Sequence, residues 1–140
     1  LNKKVLKFEI DLDFVLIAIT SAQKDYRLCY LVNKYLHFNF ARVADLEVNI
    51  YPTSADAVPF SMYEYFWEAS ETSFYLIANR GIDGLLIPEM READYFLMIK
   101  NYIDDEDLNN LILGLNKIPE IVAAIKIDPK KIKSRENLLF

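Results

Sequence analysis

One cysteine, one histidine and three glycines are all that the 140 residues contain of these types, and each scarcity closes off a kind of chemistry. A lone Cys29 forms no internal disulfide, and with His37 as the sole histidine there is no zinc-spaced cysteine and histidine set. The few glycines leave no phosphate loop, no dinucleotide fingerprint and no serine elbow. A Cys29–His37 nucleophilic pair would have to join residues two helical turns apart, and Cys29 falls on the apolar side of an expected helix, where thiols are inert. Neither a catalytic residue nor a metal or cofactor site is expected.

Long apolar runs are also missing. The longest spans residues 14–19, whereas a membrane-spanning helix needs about twenty residues. A basic start followed by an apolar core and a small-residue cleavage site is absent from the sequence, so a cytoplasmic protein without a membrane partner is expected. Positive charge is in deficit: 16 Lys and Arg against 21 Asp and Glu leave a net charge of −5. A polyanion is repelled at long range by such a surface, which argues against nucleic acid as a partner.

What is abundant is apolar and aromatic side chain, 53% and 14% of the residues. A chain of this size buries roughly two thirds of the surface its unfolded form exposes, so a core can form without a disulfide or metal. The expected organisation is a single α+β domain over residues 1–128 and a basic, apolar tail over 129–140, docked on that domain.

Alternation of Leu6, Phe8 and Ile10 with charged residues predicts a strand with one wet face. Residues 14–20 form a continuous β-branched run, as in a strand covered on both sides. From Leu28 the spacing changes to Leu31, Val32, Tyr35 and Leu36, the step of an amphipathic helix. Thr20 or Ser21 is expected to cap it, with Gln23 closing a capping box on Thr20. A strand over 46–51, a loop over 52–59 and a hairpin over 60–67 and 73–79 follow. A further strand is expected over 94–100. Asp104 or Asp105 then caps a helix that carries Leu108, Leu111, Ile112 and Leu115 and ends before Pro119. The last strand is expected over 122–127.

Two β-α-β units result, and right-handed crossovers lay both helices on one face of the sheet. The expected architecture is a ferredoxin-like α/β sandwich with an antiparallel or mixed sheet and an inserted β-hairpin.

Three surfaces are candidates for function. Lys24, Asp25, Tyr26 and Arg27 fill the turn that opens the first helix, and helix starts attract anions because their backbone amides point outward. On the hairpin, Tyr63, Tyr65 and Trp67 share one face, which suits either core packing or an interface with a protein partner. Leu138, Leu139 and Phe140 end the tail; they dock on their own domain or reach a second copy in a homodimer. The stretch "IPEMREADYF" (87–96) sits between apolar runs, and its acids Glu89 and Asp94, beside Pro88 and Tyr95, are expected to act as a structural clasp through bonds to neighbouring backbone.

Ile87-Pro88-Glu89 and Asp94-Tyr95, together with "KDYRLC", "IKIDP" and "SRENLLF", resemble the IPExxxVDY family of Bacteroidetes bacteria, with Ala93 where the family name has valine. The resemblance covers most of the chain and implies a small cytoplasmic bacterial protein; it brings no catalytic residues with it. The second β-α-β unit is also similar to that of small-molecule-sensing ACT domains, although the glycine usual in their first strand-to-helix turn is missing. The expected function is a noncatalytic protein-interaction or regulatory module, with a partner protein or a second copy bound. The alternative is an ACT-like sensing domain that takes an anionic metabolite at the first strand-to-helix turn.

Overall fold

The computed structural model describes residues 13–51 and 56–140. The expected strand at Leu6, Phe8 and Ile10, and residues 52–55 of the expected loop, lie outside the described residues. Within them the elements run β1 (Phe14–Thr20), α1 (Asp25–Leu36), β2 (Ala41–Val48), β3 (Val58–Trp67), β4 (Thr72–Ala78), β5 (Tyr95–Lys100), α2 (Asp105–Asn116) and β6 (Ala123–Ile127). Two short 3-10 turns, Pro129–Lys131 and Arg135–Leu138, complete the tail.

The strands form one open α+β sheet in the order β2-β3-β4-β5-β1-β6, and every neighbouring pair is antiparallel. β2 to β5 are successive neighbours, so the expected hairpin β3–β4 lies inside the sheet. β1 enters between β5 and β6, which makes it an interior strand and explains why its sequence is apolar on both faces.

Period-two alternation sends side chains to two cores. Ile17, Ile19, Phe74, Leu76, Leu97 and Ile99 point to the side where Leu28, Leu31 and Val32 of α1 and Leu108, Leu111 and Leu115 of α2 cover them. On the other side Leu16, Phe60, Ile77, Phe96 and Met98 pack with Leu86 and Ile87 of the β4–β5 connection and with Ile132 and Leu138 of the tail. A loop and a tail thus do on one face what two helices do on the other. The helices approach closely at Gly114, where an added Cβ would collide with the end of the Leu36 side chain.

The helix ends differ from one another. α2 is capped as its sequence predicts, Asp104 accepting from the Asp107 amide at 2.8 Å. The capping box expected for α1 does not form. Its N-cap is Lys24, with no side-chain cap bond, because the helix starts only at Asp25 and leaves Thr20 in β1 and Ser21 on the approach to it. Thr20 Oγ1 donates to the Glu92 carbonyl and Ser21 Oγ to the Glu120 carbonyl, each at 2.8 Å. At the far end His37 takes the left-handed C-cap conformation, φ 57°.

β2 begins at Ala41, earlier than expected, because its first residues carry no apolar alternation. Asn33 holds this start, accepting from the Phe40 amide at 2.8 Å and donating to the Phe40 carbonyl at 3.1 Å. At the opposite edge Asn116 of α2 treats β6 similarly. Its amide accepts from Ala124 N and donates to Ala124 O, both at 2.9 Å, and so blocks part of a sheet edge open to another strand.

Candidate functional site

α1 starts beside the ends of β4 and β5, and there residues of five segments line a cleft, with charged side chains from α1, β2 and the β4–β5 connection. The cleft has a volume of about 340 Å3, and its lining includes Lys24, Asp25, Asp45, Ser61, Arg80 and Tyr95. Asp25 Oδ2 accepts from Arg42 Nη1 at 3.2 Å and from the Tyr63 hydroxyl at 3.1 Å. Arg42 continues to Asp45 through Nη2 at 2.6 Å. Arg80 donates from Nε to Asp94 Oδ1 at 2.7 Å, and from Nη2 to the Arg91 carbonyl at 2.6 Å. The second Asp94 oxygen accepts from the Ser21 amide at 2.8 Å.

Lys24, Arg42 and Arg80 balance the three carboxylates Asp25, Asp45 and Asp94, and Arg42 is shared by two of them. Among the described residues Lys24 makes no ion pair, and it stands at the helix end whose amides have no side-chain cap. Lys24, exposed, and Asp25 line the cleft at this uncapped end of α1. Such a site can hold an anion through electrostatics and backbone hydrogen bonds.

Two phenols frame the site and stay protonated at neutral pH. Burial, with the charges of Asp25 and Asp94 adding, pushes Tyr95 up to about 12. Its hydroxyl donates to the Gln23 carbonyl at 2.6 Å, which ties β5 to the approach of α1. Tyr63 is also raised, first by burial and further by Asp25, against the opposing effect of Arg42. Neither phenol is poised as a base at neutral pH.

Nucleophilic chemistry finds no support in the geometry. Cys29 is buried, its thiol contacts the Phe40 carbonyl at 3.7 Å, and burial followed by the Asp25 charge raises its pKa. His37 lies at the other end of α1, a 12-residue helix and so about 18 Å long. Among the described residues no group of three or more His, Cys, Asp and Glu is arranged to hold a metal ion. Among the described residues no helix is long and apolar enough to cross a membrane.

Of the four residues singled out at the helix start, the cleft uses Lys24 and Asp25. Tyr26 is 64% exposed, and Arg27 turns toward Glu120 at 4.0 Å and over the Tyr30 ring at 5.5 Å. Arg42, Asp45 and Arg80 carry little local signal in the sequence, and Tyr63, a candidate for the hairpin interface, joins Asp25 instead. Arg42 and Asp45 share β2, but Tyr63 of β3 and Arg80 of the β4–β5 connection reach the cluster only through the fold. The only hint in the sequence is that Arg80 directly precedes a glycine in a turn.

The aromatic row on β3 faces the helix side of the sheet. Tyr63 is buried, Tyr65 stacks on Phe38 at 4.9 Å and on Phe74 at 5.6 Å, and Trp67 is half-buried against the same core. Of the tail residues Leu138 is fully buried, whereas Leu139 and Phe140 are partly exposed. Phe140 meets the Tyr75 ring edge-on at 5.2 Å, and Lys100 lies over the Phe140 ring at 4.1 Å and donates to the Phe140 carbonyl.

In the 87–96 stretch the acids bind backbone. Glu89 accepts from the Ser134 amide at 2.5 Å and hydroxyl at 2.9 Å, which ties the β4–β5 connection to the tail, and Asp94 joins Ser21 to Arg80. Pro88 is exposed, directly after buried Ile87. The organising residue is one the sequence reading passed over. Asn79, with no exposed surface, accepts from the Ile87 amide at 2.7 Å and donates to the Met90 and Ala93 carbonyls at 3.0 and 2.8 Å. Against known proteins, no family model matches the chain, no curated protein matches it, and no solved structure matches its fold.

Proposed function

We propose that the chain is a noncatalytic regulatory module that holds a small anionic metabolite in the cleft at the start of α1. One observation carries this reading: Lys24, without an ion-pair partner among the described residues, stands at an uncapped helix end on a cleft of about 340 Å3. Arg80, already held by Asp94, adds a second cation to the lining. A cleft of this size falls at the low end of the roughly 300–1,000 Å3 typical of small-molecule sites. The ligand class is thus a compact carboxylate or phosphate.

The test is a thermal-shift panel of small carboxylates and phosphates on the purified chain. A ligand at a hundred times its Kd stabilises the native state by about 2.7 kcal/mol, a rise of several degrees in Tm. That rise should vanish in Lys24→Ala. A panel without any stabilising anion, or a shift that survives in Lys24→Ala, removes this reading.

The second reading, a protein-interaction module that binds a partner or its own copy, is favoured by a different observation. Val122 and Ile125, at the outer strand β6, are 78% and 60% exposed. With Asn116 occupying the Ala124 backbone, the contact would rest on these side chains more than on strand addition. Sedimentation showing a concentration-independent monomer, unaltered by Ile125→Lys, would exclude the self-association form.

The strand order β6-β1-β5-β4, with both helices packed on one face, supports a ferredoxin-like reading in which β2 and β3 extend the sheet. A solved structure with another strand order would refute it. The single reduced cysteine supports a cytoplasmic location, which cell fractionation tests. Membership of the IPExxxVDY family rests on Ile87, Pro88, Glu89, Asp94 and Tyr95, whose acids tie this junction to Ser21, Arg80 and the tail. An alignment that fails to superpose these residues on the family motif would withdraw it.

A further inference from the structure

A second cavity lies at the opposite end of α1, and its chemistry is the reverse of the first. Its volume is about 200 Å3; Leu36, Phe38, Trp67, Phe74, Ile103 and Leu111 supply the apolar lining, and Asp107 and Asn110 of α2 the polar part. Phe38 and Phe74 are held by one another, with centroids 5.2 Å apart, and each stacks on Tyr65. The walls are therefore braced before any ligand arrives. Asp107 uses its backbone amide on the Asp104 cap, while its carboxylate has no hydrogen-bond or ion-pair partner among the described residues.

Sign and shape select the ligand. Asp104, Asp105, Glu106 and Asp107 make this end of the molecule acidic and supply most of the chain's net charge of −5. Aromatic faces attract cations through the ring quadrupole, more strongly where water is excluded, and a carboxylate at the rim adds a direct charge. An anion is repelled here. The volume is below the roughly 300–1,000 Å3 of drug-sized sites, which limits the occupant to a compact molecule. We propose that this cavity binds a small organic ammonium ion with an apolar body, seated against Trp67, Phe38 and Phe74 with its charge toward Asp107.

The proposal stands independently of the anion cleft, since the two share no lining residue. Trp67 is the only tryptophan in the chain, so its fluorescence reports this cavity alone. Titration with benzyltrimethylammonium chloride should give a saturable change in emission. The uncharged isostere, carbon in place of nitrogen, should bind about tenfold more weakly, as expected when a desolvated cation–aromatic contact is lost. Asp107→Asn should weaken the ammonium several-fold and leave the isostere unaffected, while circular dichroism shows the fold retained. Asn110→Phe, which obstructs the mouth from an exposed position and adds no second tryptophan, should abolish binding of both. No saturable change up to the solubility limit, equal affinity for the isostere, or an Asp107→Asn titration matching the native one would overturn the assignment.

Discussion

Asn79 commits both ends of its side-chain amide to the interior, and the β4–β5 connection depends on it. Asn79→Ala leaves one amide and two carbonyls without those partners, so a loss of about 3 kcal/mol is expected, at the upper end for a broken buried network. Urea denaturation read by circular dichroism measures it. Glu89 works at the surface and depends on pH. Burial alone would raise its pKa, but the bonds from the Ser134 amide and hydroxyl and from neighbouring backbone outweigh it, and the carboxyl is held below its ordinary value. A folded-state pKa below the unfolded one means that the clasp stabilises above about pH 4.5 and that this contribution is lost as pH falls through the folded value. Glu89→Gln should therefore lower the urea midpoint at pH 7, and the gap to the native chain should close toward pH 3. A gap independent of pH would show that the carboxylate charge is irrelevant. Neither role could be read from the sequence in full: the acid beside a proline suggested a clasp, but its partner lies 45 residues away.

Elements in this fold are secured by unequal means. Capping by Asp104 is worth about 1 kcal/mol, so Asp104→Ala should cost that much in a denaturant titration. α1 lacks such a bond, and Lys24 already has the extended backbone of a cap residue, φ −68° and ψ 157°. Lys24→Ser should consequently stabilise the fold by up to about 1 kcal/mol while it abolishes anion binding, a separation of stability from function that calorimetry with and without ligand would detect. If the variant is less stable than the native chain, Lys24 is structural. At the sheet edge, Asn116→Ala frees the Ala124 amide and carbonyl, and self-association should rise in light scattering at high concentration. Helix and strand identities were legible in the sequence because periodicity is local. The expected capping box does not form because the helix starts only at Asp25, while Thr20 and Ser21 tie the end of β1 to Glu92 and Glu120, 72 and 99 residues away, which no local motif reveals.

At the scale of the molecule, the sheet has a helical cover on one face and an irregular cover on the other, made of the 79–94 connection and the tail. Removing residues 133–140 takes away buried Leu138 and the Glu89 partner together. Burial of one such leucine is worth about 1.5–3 kcal/mol, so the truncated chain should melt lower and bind a hydrophobic dye at the exposed sheet face. A truncation that leaves both readouts unchanged would make the tail dispensable. The sequence by itself determined the element order from β1 to β6, the double burial of β1 and the apolar stripes of both helices, since these follow from spacing within ten or twelve residues. It also determined the acidic balance and the scarcity of cysteine, histidine and glycine. Tertiary structure alone decided where β1 inserts, that Tyr63 faces the core, and which side chains form the two cavities. Those outcomes depend on strand pairings across the chain, such as Ala78 with Tyr95 and Tyr63 with Leu76, and a pattern with period two carries no record of which strand will lie beside it.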